Sequence, residues 1–290
     1  MKKIILLLML FITAVTVHAQ TYQLFEGEPL KFGLKDESGK VIIEPKYSFI
    51  SSTFYEGFTW AMINGKTGFI NKEGKAITPF KYDTVYDFSN GTAYVNTGAE
   101  FDDEYFEFYG GKWGAIDTSG KEIIPLVYDY LGIFNTSGVA VATIGNKYGI
   151  INLQNKQVVP IQYEYVALSY AEPQMAMAVV GGKFKESGDY TLSPIVGGKV
   201  GFINYVTGKE IVPLKYDNAR DFTEGLAAVN IGAINTDTAY SIGKWGYIDA
   251  TGKIVIPFNY EQAFSFTNGK AKVFQGGRGF YIDKTGKEVQ

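Results

Sequence analysis

The sequence has no cysteine and a single histidine, and its only long apolar run is at the start; each shortage removes a class of chemistry. Without cysteine there is no disulfide, no thiol nucleophile and no thiolate metal ligand. A bacterial lipoprotein anchor, which needs a lipid-bearing cysteine, is excluded as well. Residues 1–19 read as a secretory signal peptide. Lys2 and Lys3 give a basic start, Ile4 to Val17 is mostly apolar, and Val17-His18-Ala19 resembles a cleavage site before Gln20. The run is too short for an ordinary membrane-spanning helix, so the chain is not expected to span a membrane. His18 lies inside this segment, so residues 20–290 hold no histidine at all. A Ser-His-Asp triad and a His- or Cys-ligated zinc site are therefore excluded there. Paired carboxylates, a Ser-Lys arrangement or oxygen-ligated metals remain. Enzyme function is disfavoured, and no catalytic residue, cofactor or metal is expected. Loss of Lys2 and Lys3 leaves 25 basic against 30 acidic residues, without the clustered positive charge a nucleic-acid footprint needs.

What the chain does contain is one pattern repeated seven times. It reads Lys112-Trp113-Gly114-Ala115-Ile116-Asp117 and again Lys244-Trp245-Gly246-Tyr247-Ile248-Asp249, with weaker copies from Lys31, Lys66, Lys147, Lys199 and Arg278. Recurrence of this kind marks a repeat architecture in which each unit buries its apolar face against its neighbours. An Asp-x-x-Gly turn follows the first strand at Asp36–Gly39, Asp117–Gly120, Asp249–Gly252 and Asp283–Gly286. Asn71–Gly74 and Asn152–Asn155 are variants, the latter with asparagine as the residue tolerant of positive φ. A β-branched second strand comes next, then proline, where ladder pairing is expected to stop. A tyrosine follows shortly after, at Tyr47, Tyr82, Tyr128, Tyr163, Tyr216 and Tyr260, and in five copies an acid is next to it. A Phe-x-x-Gly turn leads into a third strand. Trp113, Gly114, Trp245, Gly246, Tyr128, Tyr216 and Tyr260 are assigned to structure, with Gly114 and Gly246 requiring positive φ or a close approach between repeats.

The fixed order of aromatic-Gly, Asp-x-x-Gly-Lys, Ile-Pro and Tyr-Asp resembles the WG-repeat (KWG-repeat) family of exported bacterial β-modules. The resemblance runs from about Lys31 to Gln290 and implies an interaction scaffold; it carries over no catalytic residues. The fold expected is all-β, a tandem β-repeat array of about 35-residue units in residues 20–290, six repeats plus a C-terminal half-repeat. An open, solenoid-like twisted stack is favoured over a six- or seven-bladed β-propeller, because the termini duplicate the same half-unit.

Extra length always falls between the third strand and the next Lys-x-Gly, in Asn96–Gly111, Gly181–Gly198 and Asn230–Gly243. Variable length at one repeat position often marks a binding side. The first insert holds five acids and five aromatics from Glu100 to Tyr109. Asp102, Asp103, Glu104, Tyr105 and Tyr109 are candidate partner-binding residues, together with Phe184, Tyr190 and Tyr240 of the other inserts and the non-repeated Trp60. The function expected is a non-enzymatic scaffold, periplasmic or secreted after cleavage near Ala19/Gln20, that binds a protein or glycan. The alternatives are a carboxylate-dependent glycan-acting enzyme and a structural spacer.

Overall fold

The computed structural model describes residues 20–169, 174–184, 195–235 and 240–290; the signal-peptide segment and Tyr190 lie outside them. All regular structure there is strand. The chain divides into two compact units, Met1–Tyr109 with Ala115–Glu122, and Gly110–Gly114 with Ile123–Gln290. The described strands form small antiparallel sheets, most of them in simple meander order.

A well-formed example is the fourth sheet, with strands Tyr130–Leu131, Val139–Ile144, Lys147–Asn152 and Gln157–Tyr163 in spatial order. The sheet is out of phase with the sequence repeat. Its first two strands come from the end of one repeat, and its last two from the start of the next. Neighbouring sheets are therefore linked through the repeat itself. The fifth, sixth and seventh sheets follow the same plan, ending in Arg278–Asp283 and Glu288–Val289. In the first sheet Gln23–Glu26 pairs with Phe32–Lys35 and takes the place of a third strand. That strand makes up the imbalance between seven Lys-x-Gly hairpins and six third strands.

The cores lie between consecutive sheets. In the second unit Phe202, Val212 and Tyr216 of the fifth sheet pack on Phe222, Ala227 and Val229 of the sixth. Alternate residues of that same sixth sheet, Ala228, Tyr247 and Ile256, pack on Phe266, Ala271 and Val273 of the seventh. In the first unit Leu34, Ile43 and Tyr47 meet Ile50, Phe54 and Ala61. Successive side chains of a strand point to opposite faces, so the third strands are apolar on both. Alanine recurs there, at Ala61, Ala140, Ala142, Ala176, Ala178 and Ala227, each fully buried.

The Asp-x-x-Gly turns form as the sequence suggests. The Gly39 amide donates to the Asp36 carbonyl at 3.0 Å, and Asp36 Oδ1 accepts from the Ser38 and Lys40 amides at 2.9 and 3.0 Å. Gly39, Gly120, Gly252 and Gly286 have φ between 81° and 86°, and Asn155 has φ 58°. The Ser or Thr hydroxyl two residues on, with the turn amides, holds the carboxyls of Asp36, Asp117, Asp249 and Asp283 below the usual range.

Two local expectations are corrected. Proline does not end the ladder: the strand Ile254–Tyr260 runs through Pro257 to the tyrosine. Trp245 pairs with Tyr260 and Tyr247 with Ile256, so one residue, Gly246, faces three. Proline sits in that bulge, where its missing N–H costs no ladder bond. The motif glycine answers the bulge and not a neighbouring repeat. A Cβ on Gly246 would lie 2.6 Å from the Ile256 carbonyl oxygen, and on Gly114 2.6 Å from that of Ile124. Gly33, Gly149 and Gly201 meet Ile43, Val159 and Val212 in the same way, at 2.4, 2.7 and 2.5 Å. None of the five is in the left-handed region. Glycine and proline thus recur together because they are two halves of one irregularity.

Candidate functional site

The Tyr–acid pairs are used up by the scaffold. The tyrosine rings are buried. Tyr47 donates its hydroxyl proton to the Gly74 carbonyl at 3.3 Å and Tyr128 to Asn155 Oδ1 at 2.5 Å, each reaching the following Asp-x-x-Gly-type turn. The acids join two other elements. Asp83, Asp129, Glu164 and Asp217 pair with Lys66, Lys112, Lys147 and Lys199, the motif lysines of their own repeats. The second oxygen caps the next hairpin: Gly98 donates to Asp83 Oδ2 at 2.6 Å, Gly145 to Asp129 Oδ2 at 2.7 Å and Ala233 to Asp217 Oδ2 at 3.1 Å. The Lys112 ammonium and the Gly145 amide hold the Asp129 carboxyl below its ordinary value. A carboxylate with lysine on one oxygen and an amide on the other is a clamp; Glu261 is the variant, its two oxygens accepting from the Gly276 and Gly277 amides at 3.1 and 3.2 Å.

The clamped hairpin is where the inserts enter. The uninserted hairpin of the fourth sheet closes through Gly145-Asn146, both with positive φ, between Ile144 and Lys147. The second and seventh sheets use Asn64-Gly65 and Gly276-Gly277 in the same way. Such turns match the twist of the strands they join. Aligned on the clamp, Gly98 and Gly111 are the two residues of this turn, with φ 82° and 69°, and residues 99–110 are spliced between them. Gly232 and Gly243, with φ 76° and 57°, are a second split pair. The glycines on either side of each insert were the available sequence signal for this, and the clamp that gives them meaning was not visible.

Between Gly98 and Gly111 the strands Thr92–Asp102 and Glu107–Asp117 continue as a hairpin whose outer residues are solvent-exposed. Phe101 packs edge-on against Phe108 at 5.1 Å and Phe106 at 6.4 Å. On the opposite face Tyr109 donates to Glu100 Oε2 at 2.8 Å, which pushes the phenol pKa up. The aromatics are thus not confined to one face. Asp102 turns back on its own loop, its Oδ1 accepting from the Glu104 and Tyr105 amides at 2.8 and 3.1 Å. Tyr105 is 69% and Phe106 81% exposed, and Phe101, Phe108 and Tyr109 are also exposed. Among the described residues, no ion pair involves the insert's acids, and no three carboxylates gather as a metal site would need.

The remaining candidates stand elsewhere. Trp60 is half-buried with one ring face stacked on Phe49 at 5.3 Å. Trp113 is half-buried and Trp245 buried. Phe184 lies in a two-stranded pairing with Ile195–Val196, and Tyr240 pairs with Asn235; their side chains are outside the described set.

A family model described as "WG containing repeat" matches residues 32–66, 68–99, 113–148, 148–184, 201–233 and 245–278. The chain belongs to the WG-repeat family. Six WG repeats therefore cover most of it, each running from a Lys-x-Gly strand to a third strand. Among curated proteins none matches the chain in sequence. Of solved structures, a eukaryotic initiation factor is similar at 11% identity, with 93% of this chain and 73% of that one covered and a TM-score of 0.40. An acylaminoacyl peptidase from Pyrococcus horikoshii is similar at 12% identity, with 73% and 46% covered and a TM-score of 0.30. At these TM-scores neither likeness carries an argument. Among the described residues no helix is long and apolar enough to cross a membrane.

Proposed function

We propose that this WG-repeat protein is an exported, non-enzymatic scaffold whose hairpin from Glu100 to Tyr109 engages a partner at the cell envelope or outside the cell. One observation carries the reading. The hairpin sets five exposed aromatic rings on an extension that the fold closes elsewhere with two residues. Exposed aromatics at this density cost solubility and add nothing to the core, whereas aromatic side chains anchor protein interfaces. Phe101, Phe106 and Phe108 meet edge to face as a ridge, a shape suited to a groove on a protein more than to the flat face of a sugar. Glu100, Asp103, Glu104 and Glu107 around it favour a partner surface that carries lysine or arginine. Export rests on the leader-like residues 1–19.

The test is affinity capture from the native envelope and medium with the full chain and with a Phe106→Ser/Phe108→Ser variant. Both side chains are exposed, so the variant is expected to melt with the parent. It is expected to lose a specifically retained, basic-surfaced protein, and higher salt should weaken the parent's capture. Retention of the same partner by the variant would refute the reading.

A further inference from the structure

The first described residues carry a feature the binding hairpin does not use. If cleavage falls between Ala19 and Gln20, as the export reading on which this inference rests has it, the new amino terminus is a glutamine held by the fold. Gln20–Thr21 pairs antiparallel with Thr53–Phe54. The Tyr22 amide donates to the Ser52 carbonyl at 2.8 Å, and the Tyr22 ring stands edge-on to the buried Phe54 at 5.4 Å. The Gln20 side chain is not loose either: its Oε1 accepts from Lys72 Nζ at 2.7 Å.

We propose that Gln20 is a modification site, closing after cleavage to the five-membered lactam 5-oxoproline. The freed α-amine attacks Cδ of its own side-chain amide. The Nα–Cδ bond forms, the Cδ–Nε2 bond breaks, and the amide nitrogen leaves as ammonia with a proton from the amine. No oxidant, reductant or co-reactant is needed. The Lys72 ammonium on Oε1 is placed to stabilise the negative charge that builds on that oxygen in the tetrahedral intermediate, as a fixed donor does for any acyl transfer. Lys72 is in this sense a catalytic residue, since it touches the reacting oxygen directly. The product suits the site, because a lactam keeps one N–H for the pairing with Phe54 and removes the ammonium charge from the strand end. The tie at Thr21 and Tyr22 then ends in a neutral cap.

The experiment expresses the full chain from Met1 in an exporting bacterial host and reads the mass of the amino-terminal peptide. The expected peptide begins at residue 20 and is lighter than the glutamine form by one ammonia. A peptide beginning with open Gln20 overturns the lactam while leaving the leader intact. A peptide beginning at Met1 or at another residue overturns the leader reading itself. In that event the lactam is decided by a second arm, in which an amino-terminal fusion is removed to leave residue 20 first and ammonia release is followed in time. Persistence of open glutamine there overturns the proposal independently of export. Lys72→Met is expected to slow release several-fold in this arm with unchanged melting temperature, and equal rates would refute the part given to Lys72.

Discussion

The hairpin that closes at Gly145-Asn146 and the hairpin that carries Phe101 to Tyr109 occupy the same place in successive sheets. Both leave a third strand, both are capped by the acid of a Tyr–acid pair, and both lead into a Lys-x-Gly strand. One turns at once. The other runs out between two glycines that keep the turn's positive φ values, and it exposes aromatic rings. The clamp and the strand geometry are common to the two, so the fold itself does not require the extra twelve residues from 99 to 110. That comparison separates what the scaffold needs from what has been added to it.

The largest effect should be the one the two hairpins share. Gly114 and Gly149 open the strands leaving the long and the short hairpin, and an added Cβ would strike the Ile124 or Val159 carbonyl oxygen. Gly114→Ala and Gly149→Ala are each expected to cost about 2–3 kcal/mol by denaturant unfolding. A loss at one position only would break the equivalence. Next is the clamp. Asp83→Ala and Asp129→Ala each strand a lysine and a hairpin amide, and a loss of about 1 kcal/mol is expected for both, discounted because the lysines are half in water. Amide exchange at Gly98 and Gly145 should quicken in the matching variant alone.

Acid titration gives a smaller, graded effect. Asp129 and the turn aspartates have folded pKa values below their unfolded ones. Their contribution is present above the unfolded value of about 4 and is lost as pH falls through the folded pKa. The melting temperature should therefore be flat near neutrality and fall below about pH 4. Asp117→Asn imitates the turns at Asn71 and Asn152, and it should remove part of that fall. Tyr109→Phe should have the smallest effect, leaving stability unchanged within error because Tyr109 and its partner Glu100 are exposed.

Much of the scaffold was legible because turns are local. Asp-x-x-Gly, the asparagine exception at Asn155 and the inward tyrosines follow from chemistry within a few residues. What stayed hidden depends on pairing across distance. The phase of the sheets, the strand Gln23–Glu26, and the bulge that ties Pro257 to Gly246 need a partner strand to become visible. Proline reads as a ladder terminator because its missing N–H is a local property, and the bulge that accommodates it is not. The candidate site shows the same division. Its composition pointed to Glu100 to Tyr109, but the splice between Gly98 and Gly111 appears only once Asp83 is seen capping Gly98.

The most direct test is to join Gly98 to Gly111, deleting residues 99–110, so that the third sheet closes with a Gly-Gly turn like Gly276-Gly277. The account predicts an unchanged melting temperature together with complete loss of the partner retained by the parent. A deletion that unfolds the protein, or one that folds and still holds the partner, would contradict it.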